Sequence, residues 1–443
     1  MEILENGKYS HLVIRNVLDK YNYMDARDKA FVKRVTEGTL ERLIQIDYVL
    51  DQFSKVSVLK MKPLIRNLMR LSVYQLLFMD QIPDSAVCNE AVKLAGKRGF
   101  RGLSGFVNGV LRNIARNREH IEYPNPERDR RRALSIQYSM PEWLIGFWED
   151  AYGEAKTQAV LQGALKEHPV TVRLSSKTSE EERGRWLAEL SKRKIHAERH
   201  PYHPLAYTLT GTDGVGNLPG YEEGLFVVQD VSSMLAVDAA GVEELENKSG
   251  ELLVVDVCAA PGGKSLYMAE KLEGRGIVIS RDLTEYKASL IRDNIKRMNV
   301  VNMTAEVWDA QTPDESLFEK ADAVLADLPC SGLGIMGKKR DIKYRISREG
   351  LDELALLQRR ILKASWRYVK PGGILIYSTC TMNPVENERM IEWFTGEHPF
   401  KCQSLAPYLP EELKEEEQDG KIQLFPGIHK SDGFFISRLV RTC

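Results

Sequence analysis

The sequence predicts an α/β protein in three parts. Residues 1–135 form an all-helical part, 136–229 a helical connector with a small mixed α/β part, and 230–443 a larger α/β part built on a mostly parallel sheet. Three observations carry this. Apolar residues recur at three- and four-residue steps through the first part. A strand-like alternation, a helix start and two further strand-like runs follow one another in the second, and short apolar runs alternate with helical stretches from Leu252 onward. The length of 443 residues suits about three domains.

In the first part Leu43, Ile46, Leu50 and Phe53 share one helix face, and Pro63 stands at the first position of an apolar helix, PLIRNLMRLSVYQLLFM. Leu103, Phe106, Val107, Val110, Leu111 and Ile114 give another core face, with Arg101, Arg112 and Arg116 turned away. The stretch from Glu119 to Ala133 combines two prolines with dense charge and reads as a linker or an exposed helix start. Arg128, Arg130, Arg131 and Arg132, with Lys97, Arg98 and Arg101, form either a phosphate-binding surface or a solvated charge run.

The small mixed part is expected between about Glu167 and Gln229, in the order β-α-β-β. Val170, Val172 and Leu174 alternate, Ser179 and Glu182 match a capping box before Trp186 and Leu190, and AYTLT and LFVVQ follow. His196 and His200 would lie one helical turn apart, near His203, but nothing completes a zinc pattern, so exposed histidines and no metal are expected.

The last part alternates LLVVDV, GIVIS, MTAEV, ADAVLAD, GGILIYS and GFFISRL with helical segments. Ligands of such sheets bind beyond the carboxyl ends of the strands. There the first strand runs into DVCAAPGGKS, whose small residues let backbone approach a ligand ahead of a helix N-terminus. Spacing excludes a P-loop, because Cys258 stands where glycine is needed, and excludes a G-x-G-x-x-G fingerprint. Asp256, Asp282, Asp309 and Asp327 fall at successive strand ends and would repel one another unless a ligand supplied donors. Cys330 and Cys380 stand at the same sheet edge, beside Ser331, Ser378, Thr379 and Thr381, and the pairing of two thiols there favours chemistry over inert core.

A net charge of −1 excludes a globally basic nucleic-acid binder and leaves local patches open. Six scattered cysteines without a C-x-x-C pair argue against disulfide scaffolding, and the start lacks the apolar region of a signal peptide, so a cytoplasmic protein with no membrane span is expected.

Taken together, DVCAAPGGKS, Asp282, Asp309, DLPCSG, STCT and the terminal DGFFISRL resemble the S-adenosylmethionine-dependent RNA cytosine-C5 methyltransferases that act on 16S ribosomal RNA, the RsmB or Sun type. DARDKAFVKRVTEGTLER and FVNGVLRNI resemble a NusB-type RNA-binding domain, so the likeness covers nearly the whole chain. The resemblance implies a Rossmann-like methyltransferase domain preceded by the NusB-like one. It implies S-adenosyl-L-methionine as cofactor, small-subunit ribosomal RNA as partner and a monomer.

By the same analogy Cys380 is the nucleophile that adds to C6 of cytosine. Cys330 then assists proton loss or product release, and Asp327 contacts the base edge or the cofactor. Cys258, Ala259, Ala260, Pro261, Gly262, Gly263 and Lys264 would line the methionine side, Asp282 the ribose and Asp309 the adenine. Lys338, Lys339, Arg340, Lys343, Tyr344 and Arg345 lie in the loop after Cys330, and they are expected to grip RNA backbone or flanking bases. Leu328 stands where the family usually has alanine, and it is expected to narrow the pocket.

Overall fold

The computed structural model describes residues 1–21, 23–166, 169–212, 214–245 and 250–443, which form two compact units. One comprises Met1–Lys166 with Met336–Arg345, the other Glu167–Ile335 with Ile346–Cys443. Glu167, the expected start of the small mixed part, lies outside the described residues.

The first unit is helical for the reasons its periodicity suggests. Pro63 opens the helix Pro63–Phe78 at its first turn, where the missing N–H costs nothing. Ile46 and Leu50 from Leu43–Phe53, Met69 and Val73 from Pro63–Phe78, and Val107, Leu111 and Ile114 from Ser104–Arg116 meet in one buried core. Leu103 departs from its expected face, because it ends a short 3-10 turn and stays exposed. The helix Arg130–Tyr138 starts on an Asp129 cap, and Glu142–Ala164 kinks where Gly153 takes φ +81. This last helix belongs to the first unit, so the helical connector sorts with the bundle and not with the small sheet.

In the second unit a four-stranded antiparallel sheet contains β1 (Val170–Leu174), β2 (His196–Arg199), β3 (Ala206–Thr210) and β4 (Phe226–Val228), in the order β2-β3-β1-β4. The helix Glu180–Lys192 carries the expected Ser179–Glu182 capping box and buries Trp186 and Leu190 against Val172, Leu209 and Phe226. The order is therefore β-α-β-β-β. Residues 196–199 pair with β3 as a strand, which removes the helical spacing expected of His196 and His200. His200 and His203 are also buried, not exposed: His200 Nε2 meets the Lys430 carbonyl at 2.7 Å and His203 Nε2 the Tyr267 hydroxyl at 2.9 Å.

The large sheet has eight strands: β5 (Leu252–Asp256), β6 (Gly276–Asp282), β7 (Met303–Val307), β8 (Ala321–Asp327), β9 (Val369–Thr379), β10 (Phe400–Cys402), β11 (Lys421–Leu424) and β12 (Phe434–Arg441). The order β9-β8-β5-β6-β7 is parallel throughout, while β12 joins β9 antiparallel and carries β10 and β11. The chain order reverses beside β5, the place where doubly wound sheets bind ligands.

Arg173 of β1 is fully buried against Glu270 of the helix Gly263–Lys271, with Nη1 to Oε2 at 2.6 Å, and its guanidinium lies 4.4 Å from the centroid of the Tyr267 ring. Removing one member of a buried pair strands the other, at a cost of about 3–5 kcal/mol. Arg173→Met should therefore lower native-state hydrogen-exchange protection of β1 and of Gly263–Lys271 by that amount. Arg173→Met with Glu270→Met should recover most of it.

Candidate active site

Parallel β5, β6, β8 and β9 bring their carboxyl ends to one edge. β5 ends on Asp256, and the following loop turns through Gly262 at φ +103, a backbone conformation that glycine adopts without strain. The helix Gly263–Lys271 starts directly after it with no side chain capping its N-terminus. A cavity of about 190 Å³ lies here, lined among others by Gln229, Asp256, Cys258, Pro261, Lys264 and Asp327.

The acids at the strand ends are relieved by the protein's own donors, contrary to the expectation that only a ligand could supply them. Lys264 Nζ donates to Asp327 Oδ2 at 2.7 Å, and Ser378 Oγ donates to Asp327 Oδ1 at 2.8 Å. Ser265 Oγ donates to Asp256 at 2.6 Å. Asp282 receives Lys287 Nζ at 2.8 Å together with the backbone N–H groups of Ala260 and Leu283. Burial, reinforced by the Asp327 charge and opposed by the Ser265 hydrogen bond, pushes the Asp256 carboxyl up to about 7. Burial works against the Lys264 ammonium, but Asp327 more than offsets it and holds the amine above its ordinary value. Burial raises the Cys258 thiol far above the usual range, so that sulfur is an apolar wall. Asp309 sits two residues beyond β7, exposed, and accepts from the Gln311 N–H.

Cys330 and Cys380 meet with their sulfurs 3.3 Å apart, as free thiols, both partly exposed. The hydrogen bond to Cys380, then burial, raise the Cys330 thiol well above its ordinary value. Both are pinned through their neighbours. Gln358 Nε2 donates to the Pro329 carbonyl at 2.9 Å and Glu386 Oε2 accepts the Ser331 N–H at 3.0 Å, so the residues on either side of Cys330 are held. Asn387 accepts from Thr379 Oγ1 at 2.6 Å and donates to the Thr381 carbonyl at 3.1 Å, which does the same for Cys380. Ser331 Oγ and Thr381 Oγ1, 2.6 Å apart, tie the two loops together. Glu386, Asn387 and Gln358 escaped the sequence reading, because the acid and amides of PVENE and of a helix gave no periodic signal.

Leu328 does not narrow the cavity: its side chain packs into the core with Val257, Ala326 and Tyr377 on the other side of the backbone.

Among the described residues there is no group of three or more His, Cys, Asp or Glu able to hold a metal ion, and no helix is long and apolar enough to cross a membrane.

Residues 242–440 match the family model of 16S rRNA methyltransferase RsmB/F, residues 1–116 that of the NusB family, and residues 140–215 the ferredoxin-like domain of RsmF/B-like methyltransferases. A Bacillus subtilis protein named "Probable ribosomal RNA small subunit methyltransferase B" is 36% identical over 440 residues, covering 98% of this chain and 95% of that protein. The chain belongs to the ribosomal RNA small subunit methyltransferase B family. The Escherichia fergusonii member is 32% identical, covering 99% of this chain and 96% of its own length. The crystal structure of PH0851 superposes with a TM-score of 0.77 at 27% identity, covering 96% of this chain and 93% of that one. The protein is thus a methyltransferase with a NusB domain, a small antiparallel-sheet domain and a methyltransferase domain.

Within this methyltransferase the cationic segment after Cys330 serves a different purpose from the one expected. Met336–Arg345 packs in the NusB-containing unit, where Arg340 pairs with Glu37 and Glu41, and Asp341 accepts the Ser10 N–H at 3.1 Å. Lys343 is buried with Nζ on the Glu41 carbonyl at 2.9 Å, burial lowering its amine to about 7, and the Tyr344 hydroxyl reaches Ser139. Arg340, Lys343 and Tyr344 are thus committed to holding the segment and are not a clamp or stacking platform for bases. Lys338 and Arg345 are exposed, and the Arg345 guanidinium lies 3.9 Å from the centroid of the Tyr9 ring. Arg130 and Arg131 pair with Glu149 and Arg132 with Glu142, which neutralises most of the arginine run, while Lys97, Arg98 and Arg101 remain exposed.

Proposed function

We propose that this methyltransferase modifies C5 of a cytosine in small-subunit ribosomal RNA through a transient bond between Cys380 Sγ and C6, with S-adenosyl-L-methionine as methyl donor. The observation that carries the reading is the pair of free thiols 3.3 Å apart, beside the Lys264–Asp327 pair that lines the cavity. The relatives' names supply the RNA. When bound, S-adenosylmethionine supplies an electrophilic methyl group on a sulfonium.

The cavity suits such a ligand. Asp256 and Asp327 offer carboxylates to its cationic groups, the uncapped helix N-terminus offers N–H donors, and the turn from Cys258 to Lys264 brings backbone close. Asp282, whose acceptors are met only by backbone N–H groups and the half-exposed Lys287, would take the ribose, and Asp309 the adenine.

Cytosine C5 is a poor nucleophile until a thiolate adds to C6 and converts the ring to an enamine-like form. Cys380 Sγ, as the thiolate, forms that bond while the C5–C6 π electrons move toward N3 and the base carbonyl; the pair then returns through C5, which takes the methyl group as the methyl–sulfonium bond breaks and leaves a neutral thioether. Asp327 and Lys264 would meet the base edge, where charge develops. Cys330, once its own proton has passed to solvent, takes the C5 proton as a thiolate, the C5–H electron pair re-forms the C5–C6 double bond, and the C6–S bond breaks with its pair on the Cys380 sulfur. A base within a helix must first leave its stack. Exposed Lys97, Arg98 and Arg101 on the NusB domain offer phosphate contacts.

Tritium transfer from labelled S-adenosylmethionine to unmodified small-subunit rRNA, with bisulfite sequencing of the product, tests the substrate. RNA carrying 5-fluorocytosine tests the chemistry, since its C5 substituent cannot leave as a proton. A denaturant-stable complex should form with the parent and vanish in Cys380→Ala. Its persistence in that variant would remove Cys380 from the nucleophile's role.

A further inference from the structure

The sulfurs of Cys330 and Cys380 touch at 3.3 Å, and both residues are partly exposed free thiols. A disulfide needs about 2.05 Å between its sulfurs, so an approach of roughly 1.3 Å closes the bond. Side-chain rotation supplies such a movement while the backbone stays in place. The two cysteines follow β8 and β9, whose register sets Asp327 opposite Ser378, and the Leu328 N–H donates to the Ser378 carbonyl at 3.2 Å. Beyond the cysteines, Ser331 Oγ and Thr381 Oγ1 lie 2.6 Å apart, and the Gly334 N–H donates to the Cys380 carbonyl at 3.0 Å. Bonds on both sides of the pair therefore hold it in contact, and none of them uses a sulfur.

Two accessible thiols in contact are the arrangement that turns a sulfenic acid into a disulfide before it is oxidised further. Partial exposure lets a small oxidant in and, afterwards, a reducing thiol. The other cysteines lack one element or the other. Cys88 is buried, and the exposed Cys443 lies beside the Thr442 hydroxyl.

We propose that Cys330 and Cys380 form a reversible disulfide with a hydroperoxide as oxidant, and that this bond switches the methyltransferase off. One sulfur, as its thiolate, displaces hydroxide from the peroxide: an S–O bond forms as the O–O bond breaks, which gives a sulfenic acid. The second sulfur attacks that sulfenic sulfur. The S–S bond forms, the S–O bond breaks, and the departing hydroxide leaves as water with the second thiol's proton. In sum, two thiols and one peroxide give one disulfide and two waters, and the two electrons lost by sulfur reduce the peroxide. A dithiol returns them by thiol–disulfide exchange. The loss of activity rests on the reading of Cys380 as nucleophile, because the disulfide removes the sulfur that would bond to C6. Formation of the disulfide does not rest on it.

The test treats the reduced full chain with hydrogen peroxide, alkylates the remaining thiols and maps the peptides by mass spectrometry without reductant. A cross-linked peptide pair carrying Cys330 and Cys380 is expected. Methyl transfer to small-subunit rRNA should fall in proportion to the cross-linked fraction and return with dithiothreitol. In Cys330→Ala the neighbour is missing, so Cys380 should instead be found as the sulfinic acid, which dithiothreitol does not reverse. Sulfinic acid at Cys380 of the parent with no cross-link would overturn the proposal, as would full methyl transfer by the cross-linked protein. A reduced parent that transfers no methyl group to this RNA would bring down the proposed function and the switch with it, and the peptide map would still tell whether the disulfide forms.

Discussion

Alanine at Cys330 should leave the enzyme stranded on its RNA. Denaturant-resistant complexes should accumulate with ordinary, unfluorinated substrate, while turnover falls by about 10²–10⁴-fold, the range for losing a positioned acid or base. The reasoning starts from the two sulfurs 3.3 Å apart. Hydrogen bonding to Cys380 and then burial, with Glu386 and Asp327 adding to both, hold the Cys330 thiol well above its ordinary value. At neutral pH Cys330 therefore keeps its proton in the free enzyme, with the Cys380 sulfur within hydrogen-bonding reach. Once Cys380 is bonded to carbon, the interaction that contributes most to holding the Cys330 proton is gone, and the second sulfur can exchange protons with the base. Deleting Cys330 thus spares addition and methylation but blocks the step that expels the enzyme. Gel mobility of the complex after denaturation measures this directly, and the complex should vanish in the double variant with Cys380→Ala. Loss of adduct in Cys330→Ala alone, with its retention in Cys380→Ala, would reverse the two roles.

How much of this was legible beforehand follows from which interactions are local. The alternation of β1, the apolar runs of β5 and β8, and the capping box at Ser179 are properties of neighbouring residues, and each was readable. The strand His196–Arg199 was not, because its backbone partners are supplied by β3 and its own side chains stay mostly exposed. Leu328 looked like a pocket residue because the resembled family usually carries alanine at that place. One step along an extended chain reverses the side of the backbone, and Leu328 faces the core. The cations of Met336–Arg345 looked free to grip RNA because Glu37, Glu41 and Ser139, which hold three members of the segment, lie roughly 200 to 300 positions away. Likewise the strand-end acids could be listed, but their pairing with Lys264, Lys287 and Ser378 depends on where a helix and a neighbouring strand deliver those donors. Periodicity reports which face is buried. It carries no information on long-range polar partners, and those are what set the two thiols.

Adjacent residues Glu386 and Asn387 should separate the two halves of the reaction. Glu386 accepts four hydrogen bonds on its two oxygens, from the Ser331 N–H at 3.0 Å, the Ser331 hydroxyl, Asn383 Nδ2 at 2.8 Å and Gln358 Nε2 at 2.8 Å. Only a carboxylate can accept on both ends, so Glu386→Gln turns an NH₂ group toward two donors and leaves buried groups unpaired at about 1–3 kcal/mol. The loop that relaxes is the one between Pro329 and Ser331, which carries Cys330. A displacement near 1 Å at a reacting group can cost about 100-fold in rate. Glu386→Gln should therefore reduce kcat by about 10–100-fold, with KM for the methyl donor within about twofold because Lys264 and Asp327 are untouched. Trapping on 5-fluorocytosine RNA should persist. Asn387→Leu removes the clamp on Thr379 and Thr381 instead, and it should slow trapping itself. A stopped-flow comparison of trapping and release in the two variants reads the difference. If both variants trapped equally slowly, the network would be supporting the two sulfurs as one unit, and the division of labour between Cys380 and Cys330 would lose its structural basis.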